Sequence, residues 1–306
     1  MFELAYWQNK AAALRLPDQA VIDGKSRAAQ SGQTFAAINP ATGQCLANVA
    51  ACGEEDVDAA VRNARQVFEA GTWAARSPSE RKQVLLRLAD LILAHREELA
   101  LLDSLNMGKP VMDAYNIDVP GAAGVFRWYA ESLDKLYDQV APSAQNVLAT
   151  ITREALGVVA AVVPWNFPLD MAAWKLAPAL AAGNSVILKP AEQSPFSALR
   201  LAELALEAGL PAGVLNVLPG LGEQTGKALG LHPDVDCLVF TGSTEVGKYF
   251  MQYSAQSNLK QVWLECGGKS ANLVFADCQD LDLAAQKAAF GIFFNQGEVC
   301  SANSRL

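Results

Sequence analysis

From Gly157 onward the apolar positions of the chain fall into a regular alternation. Short apolar runs, bounded by turn residues, occur at Gly157 to Val163, Asn184 to Leu188, Val214 to Leu218, Val235 to Phe240 and Lys260 to Leu264. Between them, at Met171 to Ala182, Ser197 to Ala208, Glu223 to Leu229 and Glu245 to Ser254, the pattern is that of amphipathic helices. Strands alternating with such helices form parallel βαβ units, so the pattern predicts an α/β fold with an open, doubly wound parallel sheet. Ligands of such sheets lie outside the carboxyl ends of the strands.

The front of the chain is organised differently. Val21-Ile22-Asp23-Gly24-Lys25 is a hairpin signal of the Asp-Gly type, and Asn39-Pro40-Ala41-Thr42-Gly43 is a second turn. Three helices are predicted next. The first runs from Glu54 to Ala70. The second starts at Ser77-Pro78-Ser79-Glu80 and continues unbroken to just before Gly108, with Leu85, Leu88, Leu91, Ile92, Leu99 and Leu102 at helical spacing. The third spans Ala122 to Tyr137. Residues 146–155 read as a polar-edged strand, and Leu281 to Phe294 as a further apolar helix. There is no repeat of fixed period, no low-complexity segment and no Pro/Ser-rich linker between the front helices and the sheet, so residues 1–265 read as one unit.

Composition narrows the function classes. A chain of 306 residues with 51% hydrophobic and 18% charged residues forms a globular protein with a sizeable core. A net charge of −8 argues against non-specific nucleic-acid binding, which needs a basic face. The start Met1-Phe2-Glu3-Leu4 lacks the basic onset and apolar core of a signal peptide, and no unbroken uncharged apolar run is long enough for a membrane helix. Cys45, Cys52, Cys237, Cys266, Cys278 and Cys300 show neither metal-ligand spacing nor a disulfide framework. They read as cytosolic free thiols, five inert and one reactive, with no metal site.

The reactive candidate is Cys300, in Asn295-Gln296-Gly297-Glu298-Val299-Cys300-Ser301-Ala302. Glu265 closes the apolar run Val262-Trp263-Leu264 and is followed by Cys266-Gly267-Gly268. A thiol on a tight turn can attack a carbonyl, and a carboxylate at a strand end can activate water to release the acyl group. Taken alone, Cys300 would read as a buried free cysteine.

Three further motifs fall on predicted strand ends. In Pro164-Trp165-Asn166-Phe167-Pro168, Asn166 either offers its amide to a developing oxyanion or satisfies its own turn. In Lys189-Pro190-Ala191-Glu192, the two charged groups either bind ribose hydroxyls or form a solvated surface pair. In Phe240-Thr241-Gly242-Ser243-Thr244-Glu245-Val246-Gly247, a Gly turn opens a helix, and Ser243 either helps to hold a pyrophosphate or simply caps that helix. The last motif is not the G-x-G-x-x-G fingerprint.

Together these motifs resemble the signatures of the aldehyde dehydrogenase superfamily, in the same order along essentially the whole chain. The resemblance implies an NAD-dependent oxidation of an aldehyde to its acid through a thioester, with Cys300 as nucleophile, Glu265 as base and Asn166 with the backbone N–H of Cys300 as oxyanion donors. It implies cofactor contacts at Trp165, Lys189, Glu192, Gly222, Phe240, Gly242, Ser243, Val246 and Gly267. A carboxylate at Glu192 would repel a 2′-phosphate and favour NAD over NADP. Leu4-Ala5-Tyr6-Trp7-Gln8 resembles the start of the γ-glutamyl-γ-aminobutyraldehyde dehydrogenases of putrescine breakdown, with 4-guanidinobutyraldehyde and 4-aminobutyraldehyde dehydrogenases equally similar.

The resemblance also places Phe167, Asp170, Met171 and Trp174 along the aldehyde tunnel. Asp170 and Trp174, four apart, share a helix face, and together they suit a cationic tail. Alternatively, Asp170 pairs with a protein cation or caps its helix. Asp118 matches an acidic position used by aminoaldehyde-oxidising relatives. Position 266 departs from the pattern by carrying Cys. The expected organisation is an NAD-binding domain over 1–265, with an oligomerisation strand at 140–155, and the start of a catalytic domain over 266–306 that stops six residues after Cys300. A cytoplasmic homo-oligomer is expected for the complete protein, with the 306-residue chain itself defective in turnover.

Overall fold

The structure is a computed structural model that describes residues 3–306, so the reading of Met1 and Phe2 lies outside the described residues. Helix α1 (Leu4–Ala12) precedes the hairpin β1 (Ala20–Ile22) and β2 (Lys25–Arg27), with Asp23 and Gly24 both left-handed, as the Asp-Gly signal requires. Strands β3 (Thr34–Ile38) and β4 (Cys45–Ala50) form a separate two-stranded sheet.

Helix α2 (Glu54–Glu69) follows, then α3 (Pro78–Ala94) and α4 (Arg96–Met107). The start of α3 is a reciprocal cap. The Ser77 hydroxyl accepts from the Glu80 N–H at 3.3 Å, and the Glu80 carboxylate accepts from the Ser77 N–H at 2.9 Å. The single helix predicted from Ser77 to Gly108 is two. His95 leaves helical geometry at φ −97°, ψ 25°, and Glu97 and Glu98 favour a fresh helix start just after it. Gly108, at φ 80°, ends α4.

A short helix α5 (Val111–Asp113) and a wide π turn over Ala114–Asp118 lead into α6 (Val119–Ser132). The expected third helix thus lies three residues earlier at its start, where Pro120 suits a first turn, and ends five residues sooner. Strands β5 (Gln139–Ala141) and β6 (Ala149–Ile151) pair antiparallel as an isolated hairpin with Val140, Leu148 and Ile151 exposed.

The regular half of the chain contains β7 (Val158–Val162), α7 (Pro168–Ala181), β8 (Ser185–Lys189), α8 (Phe196–Glu207), β9 (Leu215–Val217), α9 (Lys227–Leu231), β10 (Cys237–Gly242), α10 (Thr244–Gln256) and β11 (Gln261–Cys266). A π turn over Gly222–Gly226 replaces the first part of the helix predicted from Glu223, and the buried Thr225 hydroxyl there donates to the Cys52 carbonyl at 2.5 Å. Helix α11 (Leu281–Phe293) comes last.

The main sheet has the order β11-β10-β7-β8-β9-β1-β2. Neighbours from β11 to β9 are parallel, while β1 joins β9 and β2 antiparallel. The central strands β7, β8 and β9 are covered on both faces, while the edge strands β11 and β2 are largely exposed, and β7 shows how the covering works. Val159, Ala161 and Val163 pack into a core with Leu88, Phe126, Leu176 and Leu199, whereas Val158, Ala160 and Val162 pack into another with Val57, Val61, Leu238 and Phe250. This two-residue alternation with both sides apolar explains the unbroken apolar runs in the sequence. Beyond the sheet, α11 buries only Ala288.

Candidate active site

The parallel strands bring their carboxyl ends to one edge, where Val162 pairs with Lys189 and Gly242 with Cys266. After β7 the chain turns through Pro164 to Phe167 before Pro168 opens α7, whose fixed φ suits a first helical turn. Asn166, half-buried, donates its Nδ2 to the Glu298 carbonyl at 2.7 Å across 132 positions of sequence. Asn295 Nδ2 donates to the Asn166 carbonyl at 3.0 Å and to the Glu298 carbonyl at 3.2 Å. The Phe167 and Phe294 rings approach to 6.3 Å between centroids.

The Cys300 turn is therefore joined to the Asn166 loop. Phe294 leaves α11 in extended geometry, and Asn295, Gln296 and Gly297 follow at φ 50°, 59° and 81°. A second turn, closed by the Ala302 N–H on the Val299 carbonyl at 3.2 Å, presents Cys300 half-buried.

Glu265 lies one residue from the end of β11, exposed, opposite Thr241. Its electrostatic neighbour is Lys175 of α7, whose ammonium burial pushes down while the Glu265 carboxylate holds it up. Cys266 is half-buried, and its sulfur lies 3.2 Å from where a Cβ on Gly247 would stand, so that glycine lets β11 close on α10.

The cofactor candidates gather on the same edge. Lys189 is 2% exposed and donates to the Pro190 carbonyl and the Glu192 carboxylate, both at 3.0 Å. Burial pushes its ammonium down, and Glu192 opposes this. Ser243 caps α10 by accepting from the Val246 N–H at 3.2 Å, which leaves its hydroxyl proton to donate. A Cβ on Gly242 would stand 2.4 Å from the Phe240 ring, so this turn needs glycine. Glu192, Gly222 and Val246 line one cavity of about 440 Å³, walled by Tyr249 and Phe250. Trp165, Glu192 and Glu298 line another of about 480 Å³, which Phe35 and Met107 help to close. Gly267, just past β11, is exposed with open space around its α-carbon. The residues present suit a dinucleotide: a pair for ribose hydroxyls, a helix start for phosphate and an apolar cavity between them.

Of the tunnel residues, Trp174 is 55% exposed and Phe167 and Met171 are half-buried. Asp118 is buried and ion-paired with Lys109, so its charge is already met inside the protein. The Lys109 Nζ also sits 4.0 Å from the Phe167 ring centroid. Asp170 is half-buried in the first turn of α7, and its Oδ1, shut off from water, has no hydrogen-bond partner among the described residues. Burial, then the Asp118 charge, push its carboxyl up to about 6 against the opposing pull of Lys109. Below it, fully buried Asp103 accepts from the Leu169 N–H at 3.4 Å, and burial pushes it up to about 7. Sequence reasoning missed Lys109, Asp103, Lys175 and Asn295. Asn295 had a signal, since Asn before Gln-Gly suits left-handed backbone; the buried charges had none.

The doubly wound parallel sheet carries a cysteine-bearing turn at its carboxyl edge. The chain belongs to the aldehyde dehydrogenase family: the sequence profile described as "Aldehyde dehydrogenase family" matches residues 27–306. It is 55% identical over 303 residues to the NADP/NAD-dependent aldehyde dehydrogenase PuuC of Escherichia coli, covering 99% of this chain and 61% of that protein. It is 55% identical over 296 residues to the aminoacetaldehyde dehydrogenase of Pseudomonas aeruginosa, covering 97% and 60%. The crystal structure of γ-glutamyl-γ-aminobutyraldehyde dehydrogenase from Burkholderia cenocepacia superposes with a TM-score of 0.98 at 59% identity, covering 100% of this chain and 62% of that one. The chain thus spans about three fifths of the length of these relatives.

Proposed function

We propose that this chain carries the cofactor-binding and nucleophile segments of an NAD-dependent dehydrogenase that oxidises an aminoaldehyde or guanidinoaldehyde to its acid. The observation that supports it most is the 2.7 Å bond from Asn166 to the Glu298 carbonyl, which places the oxyanion candidate against the Cys300 turn. In this reading the Cys300 thiolate, its proton already given to solvent, bonds to the aldehyde carbon, and the carbonyl oxygen takes up the negative charge. Asn166 and the Cys300 N–H donate to that oxygen. Bound NAD would supply the acceptor for the hydride that leaves the former aldehyde carbon. The acyl group remains on Cys300 as a thioester. Glu265 then takes a proton from water, the new hydroxyl adds to the acyl carbon, and the carbon–sulfur bond breaks to release the acid.

Residues 1–265 form the cofactor-binding part in this reading, and 266–306 open the catalytic part. The exposed β5–β6 hairpin is its surface for homo-oligomer formation, and the compartment is the cytoplasm. Glu192 favours NAD, although the name of the E. coli relative covers both dinucleotides. The unpartnered Asp170 oxygen supports a cationic substrate tail, with Trp174 one turn further along, and the name of the P. aeruginosa relative agrees in chemistry. Asp118 is left to hold Lys109.

A second reading, a nucleotide-binding segment without turnover of its own, is favoured by the exposed apolar side chains Trp263, Phe290 and Phe293. One experiment separates the two. The purified chain and its Cys300→Ala variant are titrated with NAD, and NADH release is followed with 4-aminobutyraldehyde. Turnover that the variant loses, with NAD affinity kept, supports the enzyme. NAD binding without turnover supports the second reading, and absence of NAD binding overturns both.

A further inference from the structure

The turn that presents Cys300 begins with a conformation that most residues avoid. Asn295 and Gln296 are left-handed, Asn295 at φ 50° and ψ 42°, and Gly297 continues the run. Such geometry persists only where the surroundings hold it. Asn295 is 1% exposed, and its amide is the holding device, because it donates both to the Asn166 carbonyl and to the Glu298 carbonyl. The Glu298 carbonyl therefore receives two amide nitrogens, one from Asn295 and one from Asn166.

This sharing has a chemical effect. A side-chain amide carries an acceptor oxygen on one side and a nitrogen with two protons on the other. With one Asn166 proton committed to Glu298, the nitrogen end is fixed toward the Cys300 turn, and the second proton stays available. A rotated Asn166 would set its oxygen against the Glu298 carbonyl, two acceptors facing each other. We propose that Asn295 is a positioning residue that ties the Cys300 turn to the Asn166 loop and so keeps the donor end of the Asn166 amide turned to the reacting carbonyl. The proposal rests on the reading of Asn166 as oxyanion donor.

The test is a double-mutant cycle. Asn295→Gly accepts the left-handed backbone but has no amide, while Asn295→Asp keeps the shape but cannot donate. Each is made alone and with Asn166→Ala. The first readout, alkylation of Cys300 by iodoacetamide followed on its peptide, needs no turnover. The second is kcat and KM for aldehyde, with NAD affinity as the check on the fold. Each Asn295 variant is expected to speed alkylation and to lower kcat roughly tenfold or more, with KM and NAD affinity within about threefold. In the Asn166→Ala background the added effect on kcat shrinks to within about twofold, because the amide that the tie orients is gone, whereas the effect on alkylation remains, because both carbonyls that Asn295 holds are backbone. Effects on kcat that multiply in full would show that Asn295 acts independently of the Asn166 amide and overturn the proposal, as would unchanged alkylation in both single variants. Full turnover in Asn166→Ala would remove the oxyanion role, while faster alkylation in the Asn295 variants would still uphold the tie. Asn295→Asp carries the cycle should Asn295→Gly fail to fold.

Discussion

Lys109 and Asp118 form an ion pair that has almost no contact with water, directly beneath the ring of Phe167. Two charges so placed are costly singly and tolerable together. Lys109→Met strands the Asp118 carboxylate and should cost about 3–5 kcal/mol of stability. Adding Asp118→Asn should return most of that loss, since no charge is then left unpaired. Urea unfolding of the two variants checks this, and equal stabilities would mean that the pair is solvated.

Asp103 predicts a pH dependence. Its folded-state value of about 7 lies above the ordinary 3.8, so the folded form binds its proton more tightly than the unfolded form. The stability it contributes is complete below its ordinary value and is lost as pH rises through about 7. Asp103→Asn removes that slope. The melting temperature of the variant minus that of the parent should become more positive between pH 5 and pH 8, and a difference that stays flat would show that Asp103 titrates normally.

Substrate choice should follow the ionisation of Asp170. As pH rises through about 6 its carboxylate forms, so kcat/KM for 4-aminobutyraldehyde should gain on that of a neutral aldehyde of equal length. Asp170→Leu should erase about 1–3 kcal/mol of the preference and spare the neutral aldehyde. Gly121 gives a second handle, because a Cβ there would stand 3.3 Å from Asp170 Oδ1. That oxygen is already shut off from water, so Gly121→Ala should act by crowding it and reduce the preference with Asp170 still present. Equal losses on both aldehydes would assign Asp170 to the fold.

Glu265→Gln should separate oxidation from hydrolysis. The thioester should still form with one burst of NADH, and turnover should then stall because water lacks its base. Rapid-mixing absorbance reads both phases. A variant that loses the burst as well would place Glu265 in the first half of the reaction.

The sheet was legible because strands buried on both faces leave apolar runs that nothing else in the chain imitates, as in Val158 to Val162. The break at His95 was hidden, because apolar spacing continues across it and a single non-helical ψ leaves no mark in the pattern. The π turn before α9 was hidden similarly, since its buried Thr225 is held by the carbonyl of Cys52, far away in sequence. Site residues at strand ends could be read from position; Lys109 and Asp118 could not, because each looks like a surface charge until the fold buries it. Ser243 caps α10 and keeps its hydroxyl proton to donate, so the cap does not exclude the phosphate reading.

The shallow seating of α11, with Ala288 alone buried, bears on the order in which the molecule assembles. The sheet has a core on each face to hold it, whereas the segment bearing Cys300 is kept in place by a few polar ties and the Phe167–Phe294 ring contact. Such a segment docks late and opens first, at a free energy well below that of the whole molecule. A brief exposure to protease should therefore cut within 267–280 while the dinucleotide cavity survives. The same looseness lets mutation change the setting of the Cys300 thiol without reopening the question of how the sheet folds.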